Sequence, residues 1–515
     1  MADTSVSGSQ PITRSSGPTG TPLHRADMFG NLLFQAIAQA SSYAVNLTVI
    51  PLVIKTTGAG TYGVFVILNS MFMLSMQLFT LGAGYRCRRR LPAMALPAER
   101  EMLFLPSASF QLLSYLLTAA IMVLLLPWID AWFFKGDHPL SIWLVPFVVL
   151  SNYLLNLAED YFRNTQRVKL MSVVFIIRSF LQPGIVVIIS LWRHVVSVDS
   201  LFIAQTFAVA LPALYLWWMM AREIHLRFKL DPWEQHRWDI RHGLPLMSAV
   251  LVENLLAVCD RYILAGYLST LHVGAYAAAC AVGSLILFVP RMVTYVMLPA
   301  LSHAIDIGQR SEAQALLNRA LQIYLFLCIP FLAGAALLAA PLLTLLGNAE
   351  VAALGRWVVP LVAAGCGIYG YTYLVFNSLF VQMDTRVWLR ANLAAATTSI
   401  LFNFILISIF RRIEAAAAAM VISYTVSALI IERFRDRAWR IHFDFGILTK
   451  ILAATAGMTL AVWSLGRLPG LQASALLAVG VQVSTGVLVY IGALWWLGAL
   501  PLEALQRALW RPTRR

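Results

Sequence analysis

Charge is what this sequence has least of. Only 12% of its 515 residues are Asp, Glu, Lys or Arg, and 60% are hydrophobic, whereas soluble domains run at roughly 25% charged and 45–50% apolar. Such a chain cannot present a solvated surface and must live in a bilayer. Long polar stretches are also missing, so no gap between apolar runs holds a soluble enzyme domain of typical size. Cysteine is scarce: Cys87, Cys259, Cys280, Cys328 and Cys366 lack ligand spacing and read as small core residues. The nine histidines are scattered in the same way, so neither a metal site nor a cofactor is expected. Strand alternation is absent too. Runs such as 121–126 and 185–189 are apolar on every side, which excludes a transmembrane β-barrel. Residues 1–28, rich in Ser, Thr, Gly and Pro, have no apolar core and read as a disordered tail, not a secretory signal.

What the chain does have is a series of apolar runs of the length that crosses a bilayer, about 20 residues each. Fourteen helices are predicted, near 29–54, 61–85, 104–127, 140–158, 170–192, 200–221 and 243–266, then 273–301, 318–340, 356–379, 387–410, 414–432, 445–466 and 472–499. The net charge of +14 fits topology better than nucleic acid, because Lys and Arg mark cytoplasmic loops. With a cytoplasmic N-terminus, about 27 of the 38 Lys and Arg fall inside and about seven outside. The densest inside clusters are Arg86 with Arg88–Arg90, Arg222–Arg241 and Arg433–Arg440. Both termini are therefore expected in the cytoplasm. The Arg86–Arg90 cluster reads as a topology signal touching anionic lipid, with capture of a substrate headgroup as the other reading.

An internal repeat divides the chain. Gly60-Thr61-Tyr62 precedes a span carrying Ser70, and Gly274-Ala275-Tyr276 precedes one carrying Ser284, at a constant offset. The expected architecture is an all-α integral membrane protein with two pseudo-symmetric six-helix bundles, at 29–221 and 243–432. A cytoplasmic linker at 222–242 joins them, two further transmembrane helices occupy 433–499, and a basic tail runs from 500 to 515.

The sequence resembles the polysaccharide transporter family, the repeat-unit flippases of the multidrug/oligosaccharidyl-lipid/polysaccharide superfamily. One stretch of resemblance runs from Gly30-Asn31-Leu32-Leu33 through Gly58-Ala59-Gly60-Thr61-Tyr62-Gly63 to Leu81-Gly82-Ala83-Gly84. The more specific one comprises Asp260-Arg261-Tyr262-Ile263-Leu264-Ala265-Gly266, Val273-Gly274-Ala275-Tyr276 and Leu298-Pro299-Ala300-Leu301-Ser302. The resemblance implies alternating access by two bundles in a bacterial inner membrane, moving an undecaprenyl-diphosphate-linked oligosaccharide for O-antigen or exopolysaccharide. It implies lipid-linked oligosaccharide and membrane lipids as partners, polysaccharide polymerase and glycosyltransferases as neighbours in the pathway, and a monomer. Lipid II flippases and multidrug exporters share the topology. A membrane polymerase or glycosyltransferase would need a larger outer loop, so no enzymatic activity is expected.

Ionisable groups inside spans cost about 2.5–3.5 kcal/mol each on insertion scales and mark cavities. Arg178, Arg261 and Arg291 are the candidates for binding substrate, and Glu253 and Asp260 for an ion pair or a coupling ion. Glu253 lies about 15 Å into the seventh span, near the midplane, and Asp260 and Arg261 follow seven and eight residues on, so all three can share a face. Arg178 and Arg291 fall in the inner half, where a guanidinium fork suits a diphosphate. The alternatives are an internal pair of Glu253 with Arg178 or Arg291, and snorkelling of Asp260-Arg261 to the outer interface.

Overall fold

The structure is a computed structural model that describes residues 41, 47–78, 84–91, 94, 96–134, 139–165, 167–193, 197–381, 385–434, 444–468 and 475–499. The predicted tails at 1–28 and 500–515, and the start of the first predicted span, lie outside these residues. The described elements are all helical: α1 (Leu47–Thr57), α2 (Ala59–Leu78), α3 (Tyr85–Arg90), α4 (Pro97–Ile129), α5 (Pro139–Asn164), α6 (Val168–Arg193), α7 (Val198–Ala221), α8 (Trp233–Tyr267) and α9 (Thr270–Gly283). They continue as α10 (Phe288–Asp306), α11 (Arg310–Leu346), α12 (Ala349–Gly355), α13 (Val358–Val381), α14 (Thr385–Phe410), α15 (Ile413–Phe434), α16 (Phe445–Gly466) and α17 (Ala475–Trp496). Among the described residues, twelve helical segments are long and apolar enough to cross a membrane. The 11-residue α1 and the 35-residue α8 stand at the two other predicted positions. The chain is a multi-pass helical membrane protein.

Three helices depart from the predicted bounds for local reasons. α8 begins at Trp233, ten residues before the predicted span at 243, with Pro232 at its N-cap and Glu234 in the first turn, where a carboxylate meets the positive end of the helix dipole. The predicted span 273–301 is broken: α9 stops at Gly283, a 3₁₀ turn covers Ser284–Leu287, and α10 starts at Phe288. Pro290 explains the break, since it has no N–H to offer the Ile286 carbonyl and the turn before it tightens. α11 starts at Arg310 and runs on to Leu346, through Pro330 and Pro341.

The helices pack in two groups, α4–α7 and α8–α15, with α16 and α17 laid on α11. α2 belongs to both. On one side Gln205 of α7 donates to Asn69 at 3.0 Å, Tyr153 of α5 donates to the Ser75 carbonyl at 2.7 Å, and Phe65 meets Phe202 with ring centroids 5.2 Å apart. On the other side α2 crosses α9 so closely that a Cβ on Gly63 would run into the Thr270 carbonyl, and one on Gly274 into the Ala59 carbonyl. Glycine is required at both positions for backbone to meet backbone. This crossing lies at the membrane end away from the basic clusters; that face is called the distal end below, and the other the basic end. Trp128, Trp132 and Trp192 are exposed towards the distal end and Trp218, Trp233 and Trp238 towards the basic end, the arrangement of two interfacial aromatic belts.

Candidate functional site

Three of the five predicted site residues lie on α8, and each faces a different neighbour. Asp260, 3% exposed, accepts a hydrogen bond from Tyr276 of α9 at 2.5 Å and one from the Arg261 backbone N–H at 2.8 Å. The Arg261 guanidinium turns the other way and donates from Nη1 to Ser70 of α2 at 3.2 Å. Its Nε is buried and has no hydrogen-bond partner among the described residues. Tyr62 of α2 lies within electrostatic reach of the same guanidinium. A carboxylate and a guanidinium held inside a membrane need each other and a set of donors. Here α2 and α9 supply that set, so the polar pair is the inner lining of the glycine crossing. Asp260 and Arg261 are therefore buried at a seam between the helix groups and do not snorkel to the interface. Tyr62 and Tyr276, matched in the sequence repeat, meet at this pair.

Two turns towards the basic end, Glu253 accepts from Tyr369 of α13 at 2.7 Å. Tyr369 packs at 4.8 Å from the Tyr424 ring and 6.4 Å from Trp388, and Trp388 stacks on Phe376 at 4.1 Å. Tyr373, one turn from Tyr369, lies within electrostatic reach of both Glu253 and Arg291. The carboxylate thus sits on the wall of an aromatic box formed by α13, α14 and α15. Cys259, between the two polar groups, fastens α8 to Ser399 of α14 at 3.4 Å.

At its basic end α8 is tied to the first group again. Arg86 of α3 donates from Nε to Asp239 at 2.7 Å and from Nη2 to Asp231 at 3.0 Å, and Nη1 bonds Gln235. Asp239 is buried. His236 stacks on Phe110 of α4 with centroids 4.4 Å apart, and burial lowers its pKa below the ordinary 6.5. From Asp239 to Arg261 the helix advances about 33 Å, the thickness of the hydrocarbon core. α8 is a strut clamped near both of its ends: by Arg86 of α3 at the basic end and by Ser70 of α2 near the distal end.

Comparison with known proteins points the same way as the fold. Residues 107–349, a little under half of the chain, match the family model for polysaccharide biosynthesis proteins. A curated relative, named as the probable flippase AglR of Haloferax volcanii, is 29% identical over 182 residues, which is 35% of this chain and 38% of that relative. The chain thus matches well under half of the relative's length. A solved structure of the lipid II flippase MurJ in an inward closed conformation superposes with a TM-score of 0.65 at 14% identity, over 93% of this chain and all of that one. An inward-facing multidrug resistance transporter of the MATE family and MOP superfamily gives a TM-score of 0.62 at 13% identity, over 78% of this chain and all of that one. At these identities the likeness is one of fold.

The other predicted residues are distributed between the groups. Arg178 of α6 donates to Asn152 of α5 at 3.4 Å and lies within electrostatic reach of Glu159. It belongs to the first group. Arg291, just past the break at Ser284–Leu287, belongs to the second. Glu253, read as a coupling-ion carboxylate or as half of an internal pair with Arg178 or Arg291, accepts its hydrogen bond from a tyrosine. Arg86, read from sequence as a topology signal, is held in an ion-pair network. Tyr276, Tyr369, Asp231 and Asp239 were not singled out, although the repeat already paired Tyr276 with Tyr62.

Proposed function

We propose that this transporter flips an undecaprenyl-diphosphate-linked oligosaccharide across the bacterial inner membrane, with its termini and basic end in the cytoplasm. The observation that carries the reading is the seam of α2 against α8 and α9, closed by glycines and lined by an arginine whose Nε has no partner among the described residues. Opening that seam detaches Arg261 from Ser70 and presents a guanidinium fork to whatever enters between the groups, and a diphosphate is its natural ligand. Arg291 beside the aromatic box and Arg178 in the first group supply further cations along the route. Glu253 and Asp260 are the carboxylates on which a coupling ion would act. The two helix groups are the moving bodies and α8 is the element both must release in turn: the distal clamp opens outward and the basic clamp inward. Polymerase and glycosyltransferases act before and after this step, and the transporter itself makes no bonds.

A second reading, lipid II as cargo, is favoured by the fold likeness over 93% of the chain. Both readings use a prenyl diphosphate, and the precursor that accumulates on deletion distinguishes them. The test of the site uses Arg178→Gln, Arg291→Gln and the neutral pair Asp260→Asn/Arg261→Gln, measuring membrane abundance beside surface polysaccharide. Abundance should hold while surface polysaccharide is lost. Normal surface polysaccharide from a well-expressed combined variant would remove these residues from the transport route.

A further inference from the structure

The connection between the helix groups, residues 222–232, is laid along the basic end of α4. The backbone N–H of His225 donates to Glu101 at 3.1 Å, that of Lys229 donates to Ser109 at 3.1 Å, and Arg167 pairs with Glu223 at 2.5 Å. Between these tethers the chain does not close on the helices. A cavity of about 210 Å³ remains, walled by Phe104, Ala108 and Leu112 of α4, Trp217 of α7, and Leu226 and Phe228 of the connection. Its walls are mostly apolar, with Ser109 and Arg227 the polar residues among them.

At its mouth stands Arg227, with Lys229 two residues on, both exposed. Glu101, a carboxylate within reach of Arg227, is engaged by the His225 N–H. Leu226, Phe228, Leu230 and Trp233 are 40–63% exposed around the cavity. Exposed apolar side chains interleaved with cations at the membrane interface suit a molecule with an apolar tail and an anionic head.

We infer that this cavity binds an anionic phospholipid of the surrounding leaflet, with part of one acyl chain between α4, α7 and the connection and its phosphate on Arg227 and Lys229. A zwitterionic phospholipid offers the same chain, but its amine offsets the attraction to the cations. The seated lipid holds the connection against α4. It thereby steadies Asp231, which pairs with Arg86 at 3.0 Å, so occupancy favours the clamped basic end of α8.

The test is native mass spectrometry of the delipidated full chain, titrated with phosphatidylglycerol and phosphatidylcholine carrying identical acyl chains. Two cations at a membrane surface should give a preference for phosphatidylglycerol of about five- to thirty-fold. Arg227→Gln/Lys229→Gln should erase that preference, while Arg411→Gln/Arg412→Gln, at the distal end, should keep it. Leu112→Trp fills the cavity and should weaken retention of both lipids; if it fails to fold, Ala108→Leu tests the same space with less added volume. Equal retention of the two lipids by the unaltered chain would overturn the inference. So would a preference that survives loss of Arg227 and Lys229, or full retention by a folded, cavity-filled variant.

Discussion

Replacing Gly63 and Gly274 by alanine should hold the α2–α9 seam apart. A Cβ on Gly63 would lie 2.9 Å from the Thr270 carbonyl carbon and 3.0 Å from the Gly274 nitrogen, and one on Gly274 would lie 2.9 Å from the Ala59 carbonyl carbon. Ordinary carbon contacts are about 3.5–4.0 Å, and the Thr270 and Ala59 carbonyl oxygens would lie closer still, so the two backbones must separate by more than about 1 Å. No side chain can move aside, because the atoms in the way are backbone. Overpacking of this kind costs about 1–3 kcal/mol, and all of it falls on the closed seam, so the closed-to-open ratio should drop about 5- to 150-fold. Cys280 of α9, buried next to the Asp260–Arg261 pair, is a built-in reporter. In a chain retaining only Cys280, maleimide labelling in intact membranes should be faster for each alanine variant and fastest for the double variant. Labelling at the unaltered rate, with transport also unchanged, would refute the closed seam as the element that moves.

Arg86→Gln should strip the counter-charge from buried Asp239 and destabilise the protein by about 3–5 kcal/mol, seen as a lowered melting temperature in detergent; adding Asp239→Asn should restore much of the loss. His236 makes stability pH-dependent: burial depresses its pKa from 6.5, so as pH falls through about 6.5 the unfolded imidazole takes a proton that the folded one resists, and stability declines until the folded ring titrates. Melting curves at pH 7.5 and 5.5 should show that decline, and His236→Phe, which keeps the stack on Phe110, should flatten it. Tyr369→Phe removes the donor found on Glu253 and should cost about 1–3 kcal/mol; Tyr369→Phe combined with Glu253→Leu should be milder in the same melting assay.

The helices were largely legible in the sequence, because a bilayer imposes one length and one composition on every crossing. The Gly-x-Tyr repeat also pointed at the seam, since Tyr62 and Tyr276 meet at the Asp260–Arg261 pair and Gly274 lies in the crossing, although α2 supplies Gly63 there and not the matched Gly60. The pairings across helices were not legible. Arg86 meets Asp231 and Asp239 from well over a hundred residues away, and nothing in local spacing separates an arginine bound to a carboxylate from one that marks a loop. Glu253 is a similar case: its place in a span was legible, but the hydrogen bond from Tyr369 of α13 was not. The early start of α8 was hidden because residues 233–242 are too polar to read as membrane helix, although Pro232 and Glu234 form a serviceable helix start.

The most direct test is to delete the gene and determine which leaflet holds the lipid-linked saccharide, using a membrane-impermeant glycosidase or lectin on intact and inverted vesicles. Flipping by this chain predicts that complete single repeat units build up on the cytoplasmic leaflet, accessible only in inverted vesicles, and that re-expression returns them to the outer face. Complete units displayed on the outer leaflet of the deletion strain would contradict it.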